Sequence, residues 1–379
     1  PDVWAPLLNI FFNLLYRGLI PVPSSWKGAI IIPVFKKGDP NLPSNYRPIS
    51  LIDITQKLYA SHLLKLLQDW LDCTNSLSPL QAGFRTKIST IDQALRFSFI
   101  VWKYVSLAKQ NLFVAFVDLK SAFDLVSREI LWSELQSIGV PYNLIVAIRE
   151  LHVDTFARVR WGANGELTDR IPITRGVRQG CVLAPTLFSL FLNRVSDHLL
   201  KCKHDCPMIG GLKSPILLFA DDSLLISKTQ SGLQNLIDSF LDFCTQKGLE
   251  LNSNKTKCMT FKGQRLHQFS YKAGSSTLDS VTTIDYLGIR IHNKLTWNDQ
   301  LEKSALIIKQ RSGGIKRLHH STKSRAISPA LDVYKAQTQS GALYGAEIWG
   351  YSDCQRLVVA ENHFLKSLLG LPISTPTIP

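Results

Sequence analysis

Three aspartates stand where this chain could do chemistry. The apolar run Ile216-Leu217-Leu218-Phe219-Ala220 stops at Asp221 and Asp222, and a second, Ser223-Leu224-Leu225-Ile226, follows at once. The pattern predicts a β-hairpin with paired carboxylates at its turn. Far upstream, Phe113-Val114-Ala115-Phe116-Val117 runs straight into Asp118. Two strands that each end in a carboxylate suit two-metal phosphoryl transfer, in which cations position an attacking 3′-hydroxyl and neutralise a leaving pyrophosphate. If the three acids converge, each pair at ~4 Å repels by roughly 4 kcal/mol at an effective dielectric near 20. Such a cluster persists only with cations present or with one member protonated. The plain alternative is a polar turn and an unrelated strand end.

The elements that must position these acids are legible in outline. Trp4 to Leu15 repeats at helical spacing. Trp26 to Phe35 is β-rich and leads through the turn Lys36-Lys37-Gly38-Asp39-Pro40 into an extended Asn45-Tyr46-Arg47-Pro48-Ile49-Ser50-Leu51. Helices are predicted over about 54–72, 89–109, 127–138 and 142–152. Strand arms follow at Phe156–Arg160 and Ile171–Ile173, then an apolar helix opening near Ala184-Pro185 and running to Val195. An amphipathic helix through Leu233 and Phe243 closes at Gly248, short strands are expected at 256–261 and 284–291, and helices take over from about Thr296.

With 379 residues, the chain is too long for one small core and suits two or three subdomains. Apolar residues at 45% and charged ones at 19% describe a globular protein rather than a disordered one. Forty-three Lys plus Arg against 29 Asp plus Glu leave a formal charge of +14, which points to a polyanionic partner, nucleic acid first. Within 301–325, Lys303, Lys309, Arg311, Lys316, Arg317, Lys323 and Arg325 face a single acid, Glu302, a candidate grip on a phosphate backbone or simply a solvated helix face. Seven cysteines with no framework spacing suit a reducing compartment. Cys202 and Cys206 flank His204 too closely for ordinary zinc-finger geometry. No apolar run reaches the ~18 residues of a membrane span, and no secretory signal is visible. The chain opens at Pro1, already inside a helical pattern, so it is expected to be a piece of a longer polypeptide.

Asp118-Leu119-Lys120-Ser121-Ala122-Phe123-Asp124 and Phe219-Ala220-Asp221-Asp222 together resemble reverse transcriptases, with the closest likeness to those of LINE-type, non-LTR retrotransposons. Family order is kept along nearly the whole chain. Ile32-Pro33 with Lys36-Lys37-Gly38-Asp39-Pro40, Asn45 to Leu51, and Gln81-Ala82-Gly83-Phe84-Arg85 come first. Arg175-Gly176-Val177-Arg178-Gln179-Gly180-Cys181-Val182-Leu183-Ala184-Pro185 follows, then Leu251-Asn252 before Lys255-Thr256, Tyr286-Leu287-Gly288, and Tyr344-Gly345 before Trp349-Gly350. Each motif is weak alone; their order is specific.

The resemblance implies an α+β right-hand polymerase with an antiparallel-sheet palm. Fingers would come from 1–110 and 126–170, the palm from 111–125 and 171–292, and a helical thumb from 293–379. It implies RNA-directed DNA synthesis from dNTPs on an RNA template, with a DNA primer at a nicked target, and hence work in the nucleus. Asp118, Asp221 and Asp222 with the Leu119 carbonyl would hold two Mg2+ ions, with Mn2+ as a substitute. Lys255 would protonate pyrophosphate, although Lys257 stands where the family usually has an acid. Lys37 and Arg47 would clamp the triphosphate, with Lys36 an alternative to Lys37. Gln179 and Gly180 would lie against the nucleotide, and Phe123 would exclude a 2′-hydroxyl. Ala220 would pack beneath the primer end, and Tyr286, Leu287 and Gly288 would grip the primer. The rivals are a group II intron-type reverse transcriptase, or a decayed or domesticated copy that binds nucleic acid without polymerising. The endonuclease that family members usually carry has no counterpart in these residues.

Overall fold

The computed structural model describes residues 4–162, 164–202, 204–262, 269–321 and 326–376; Lys323 and Arg325 of the basic segment lie outside them. Numbered along the chain, the strands are β1 (Gly28–Phe35), β2 (Tyr46–Leu51), β3 (Leu112–Val117), β4 (Phe156–Trp161), β5 (Glu166–Leu167), β6 (Ile171–Pro172), β7 (Met208–Ile209) and β8 (Leu212–Lys213). They continue with β9 (Ile216–Phe219), β10 (Asp222–Ser227), β11 (Lys257–Phe261), β12 (Lys272–Ala273), β13 (Ser276–Thr277), β14 (Asp279–Ser280), β15 (Thr283–Tyr286) and β16 (Ile289–His292).

Six consecutive apolar residues make β3, and all six side chains are buried. A strand of that composition needs cover on both faces. It accordingly runs through the middle of the main sheet, whose order is β14-β11-β3-β10-β9. Pairing is antiparallel from β11 to β9, and the short β14 joins at the edge in parallel. The helix Gln230–Lys247 packs on β3 and β10 and buries Leu233, Leu236, Ile237 and Phe240. Thr229 caps its first turn by accepting from the Gly232 amide, and Gly248, at φ +68°, ends it. The helix Thr90–Val101 opens on a capping box between Ser89 and Asp92 and brings Phe97 against Phe116, Phe261 and Tyr286. Ring centroids 5.6–5.9 Å apart, edge to face, tie the sheet to the hairpin β15–β16.

A second sheet, β2-β1-β4-β5 with β6 beside β4, is mixed, because β1 and β4 run parallel. Beyond β16, the long helix Asn298–Ser321 lies along Gln355–Leu368, and Trp349 is fully buried with its indole N–H donated to the Tyr344 carbonyl at 3.1 Å. One contiguous apolar core reaches from Leu15 to Leu368.

The predicted elements are present, with three differences. The helix expected over 89–109 is α-helical only to Val101 and continues as a π-turn over Trp102–Leu107. The helix opening at Ala184 stops at Phe191 and resumes at Val195. The strand expected at 284–291 is a hairpin, since Leu287 and Gly288 both adopt positive φ and turn the chain back. Among the described residues, no helix is long and apolar enough to cross a membrane.

Candidate active site

Phe219 pairs with Asp222, so Ala220 and Asp221 form a two-residue turn. Ala220 sits in the left-handed region at φ +58°, which a small side chain tolerates best after glycine. On its other side β10 pairs with β3, Ser223 opposite Val117, and one step further places Asp222 opposite Asp118. Hairpin and central strand therefore deliver all three acids to one end of the sheet. Desolvation by the surrounding protein pushes Asp221 above the ordinary carboxylate range; the Asp118 charge adds to this, and Arg47 partly offsets it. Asp222 is pushed up to about 6, first by desolvation and then by the charges of Asp221 and Asp118. Both residues remain exposed to solvent, so the shifts reflect a crowded recess rather than full burial.

Asp118 is braced from the segment around Leu251. Its amide donates to the Thr256 hydroxyl at 3.2 Å, its carbonyl accepts from the Asn252 amide at 2.8 Å, and Leu119 bridges to Leu251. That bridge uses the Asp118 carbonyl and the Lys120 amide, not the Leu119 carbonyl. Lys255 leans over the same acid, Nζ to Oδ2 3.7 Å, with both side chains partly exposed. Lys257, at the position where an acid was expected, bonds instead to Asp279 at 2.6 Å, so its charge is spent between β11 and β14.

Gln81-Ala82-Gly83 lies along β9 as a short parallel addition. The Ala82 amide donates to the Leu218 carbonyl at 2.8 Å, and the Leu218 amide to the Leu80 carbonyl at 2.9 Å. Gln93 reaches the Leu218 carbonyl from the helix at 3.1 Å, and Gln81 Oε1 accepts from the Gly83 amide at 2.9 Å. A Cβ on Gly83 would lie 2.3 Å from the Ala220 nitrogen. This glycine is thus the space into which the acid-bearing turn fits. Nothing in the sequence alone signals that role for Gly83.

Arg175–Gly180 wraps the other flank. The Gly176 amide donates to the Val126 carbonyl at 2.8 Å and the Val177 amide to the Phe123 carbonyl at 2.9 Å. Gly176 (φ +81°) and Gly180 (φ +110°) leave no room for a Cβ, which would meet the Asp124 carbonyl at 2.8 Å and the Ser50 carbonyl at 2.6 Å respectively. Arg178 is buried and donates to the carbonyls of Trp26 and Lys27 at 3.0 and 2.6 Å, fastening the loop to the turn that leads into β1. Gln179 donates to both carboxylate oxygens of Asp124 at 3.0 Å. Phe123 stacks on Phe188, centroids 4.8 Å apart. Of the basic candidates, Arg47 lies within charge reach of Asp221, and Lys36 within reach of Asp124. Lys37 is exposed in the β1–β2 turn, and among the described residues no contact ties it to the cluster.

Tyr286 is buried among Phe97 and Phe116, and burial pushes its phenol pKa up. The Leu287 carbonyl accepts from the Tyr344 hydroxyl at 3.2 Å, and the Gly288 carbonyl from Lys303 at 2.8 Å. Tyr344 also meets Thr90 Oγ1 at 2.6 Å, and a Cβ on Gly288 would strike its ring at 2.9 Å. The C-terminal helices therefore hold this turn in place. Asp124, Arg178 and Tyr344 also brace the site, and their only signal in the sequence is that each lies inside a motif carrying the family resemblance.

Among the described residues, no three His, Cys, Asp or Glu side chains close into a cage that could hold a metal ion by themselves. The arrangement is an open acidic recess of hard oxygen donors, in which desolvation and neighbouring negative charge raise Asp221 and Asp222. It fits a hard divalent cation that keeps water or phosphate oxygens in its shell.

The sequence pattern of the reverse transcriptase (RNA-dependent DNA polymerase) family matches residues 34–291. The chain is 27% identical over 382 residues to the probable RNA-directed DNA polymerase from transposon BS of Drosophila melanogaster, covering 96% of this chain and 41% of that protein. It is 24% identical over 380 residues to the RNA-directed DNA polymerase from mobile element jockey of the same species, covering 96% and 40%. It is also 33% identical over 249 residues to a retrovirus-related Pol polyprotein from type-1 retrotransposable element R2 of Popillia japonica, covering 64% and 33%. The chain spans about two fifths of the length of the first two relatives. Among solved structures, apo telomerase from Candida tropicalis shares the fold, with TM-score 0.52 at 14% identity, over 97% of this chain and 66% of that one.

Proposed function

Because this chain belongs to the reverse transcriptase family, in the company of the polymerases of non-LTR retrotransposons, we propose that it extends a primer 3′-hydroxyl with dNTPs on an RNA template. The observation that carries the proposal is the placing of Asp118, Asp221 and Asp222 at one sheet end, within charge reach of one another, between Arg47 and Lys255. Divalent metal is a general requirement of the family, and a nucleic-acid template its general partner. Two Mg2+ ions, or Mn2+ in their stead, held by the three acids and the Leu119 carbonyl, would supply charge neutralisation at the triphosphate and at the primer hydroxyl.

The chain's own residues do the rest. Arg47 offers a planar fork to phosphate oxygens, and Lys36 or Lys37 adds a point charge beside it. Lys255, an ammonium held near Asp118, is placed to give a proton to departing pyrophosphate, a kind of help worth ~10²–10⁴-fold. Phe123, backed by Phe188, presents a rigid ring to the sugar. Gln179 and Gly180 line the nucleotide, Ala220 supports the primer end, and Tyr286, Leu287 and Gly288 hold the primer strand. Residues 1–110 and 126–170 would serve as fingers, 111–125 and 171–292 as palm, and 293–379 as thumb. Priming at nicked chromosomal DNA would place the work in the nucleus.

Primer extension on an RNA template with dNTPs and Mg2+ tests this, with Asp221→Asn alongside. Metal-dependent extension, reduced at least ~10²–10³-fold in the variant, is expected by analogy with the loss of one charge-stabilising group. RNA binding with no extension by the wild-type chain would replace the polymerase with a nucleic-acid-binding copy.

A further inference from the structure

Asp124 lies outside the acidic cluster, six residues past Asp118, in the short helix Ala122–Leu125. Both its oxygens accept from a single atom, Gln179 Nε2, at 3.0 Å each. An ionised carboxylate can only accept, so the amide's NH2 end must face it and the amide oxygen must face away. The surroundings reinforce that orientation. The Gln179 carbonyl accepts from the Ser50 amide at 3.1 Å, and the preceding Arg178 is anchored in the core. Gly176 fits against the Asp124 backbone where any side chain would collide. Burial raises the Asp124 carboxyl above the ordinary carboxylate range, while the hydrogen bond from Gln179 and the nearby Lys36 charge pull the other way and favour the ionised form. The group left for a ligand is the Gln179 oxygen, an acceptor.

We propose that Asp124 is a positioning residue that makes Gln179 an obligate hydrogen-bond acceptor, so that the nucleotide site selects sugars bearing a donor hydroxyl. The inference rests on the nucleotide-site reading above. The sugar of a dNTP carries one free hydroxyl, at 3′, and that is the group such an acceptor would recognise. Without Asp124 the amide can rotate and offer either end, and the preference weakens.

The test compares dTTP with its 3′-deoxy counterpart ddTTP in single-nucleotide extension by the wild-type chain, Asp124→Ala and Asp124→Asn. The wild-type chain should favour dTTP. Asp124→Ala should lower that ratio about tenfold, the scale of one lost hydrogen bond. The loss should appear as a higher KM for dTTP, with kcat less affected and ddTTP unmoved. Asp124→Asn, which keeps an acceptor oxygen, should recover part of the ratio. A second readout does not need activity: the Gln179 side-chain NH2 resonance, identified by its loss in Gln179→Met, should shift in Asp124→Ala. An unchanged ratio in an active Asp124→Ala, or an unmoved resonance, overturns the inference. A wild-type chain that extends no primer removes the function proposed above, and the resonance still decides whether Asp124 orients the amide.

Discussion

Replacing Gly83 with alanine adds one methyl group to the tightest contact around the acid-bearing turn. The new Cβ would sit 2.3 Å from the Ala220 nitrogen, 3.0 Å from the Phe219 carbonyl carbon and 3.1 Å from the Ala220 Cα. Ordinary contact begins at 3.4 Å, so the two segments must part by 3.4 − 2.3, about 1.1 Å. All three neighbours are backbone, and the bonds of Ala82 and Leu80 to Leu218 stop the segments from swinging aside. Gly83 does not have a positive φ, so alanine is allowed there by conformation and the effect is steric. Overpacking of this kind costs ~1–3 kcal/mol of stability. Moving catalytic groups by about 1 Å can cost ~10²-fold in rate. Urea denaturation should therefore show a modest loss of stability, while single-turnover incorporation falls far more. Gly313→Ala is the control: it lies in the helix Asn298–Ser321 with nothing within 4 Å of the added carbon, and should leave the rate alone. Gly83→Ala with wild-type rate and stability would refute the claim that this glycine seats the turn.

Three further outcomes follow from the site. Asp222 has a folded-state pKa of about 6, above its unfolded value, so the folded chain binds more protons between about pH 4 and 6. Its contribution to stability is complete below that window and is lost as pH rises through about 6, when mutual repulsion among the acids sets in. Without divalent metal, the Tm of the wild-type chain minus that of Asp222→Asn should fall between pH 5 and 7; a flat difference would contradict the coupling. Added Mg2+ should raise Tm more at pH 7.5 than at pH 5, because cations bind the deprotonated acids. Phe123→Val should ease ribonucleotide entry, raising incorporation of rNTP relative to dNTP roughly tenfold, as removal of a steric block worth ~1–3 kcal/mol would. Steady-state selectivity that does not move would remove the gating role from Phe123.

Much of this protein was legible in the order of its residues. The runs that build β3, β9 and β10 are apolar until they meet an acid, and period and composition suffice to place a carboxylate at a strand end. Gly248 and the helix it closes, and the helices at 54–74 and 128–138, follow from local pattern in the same way. The acid-ended strands and the motif order likewise pointed to the family. What local pattern could not decide is which groups meet across long stretches of chain. Asp124 and Gln179 are joined only because the loop after Arg175 folds back on the Phe123 turn. Gly83 matters only because β9 pairs with its neighbours, and Tyr344 reaches the Leu287 turn only after the C-terminal helices close on the sheet. In sequence Lys257 reads only as a departure from an expected acid; its pairing with Asp279 shows in the folded chain. Spacing along a chain sets periodicity and sheet face; hydrogen bonds and excluded volume between distant segments exist only once the whole core has packed.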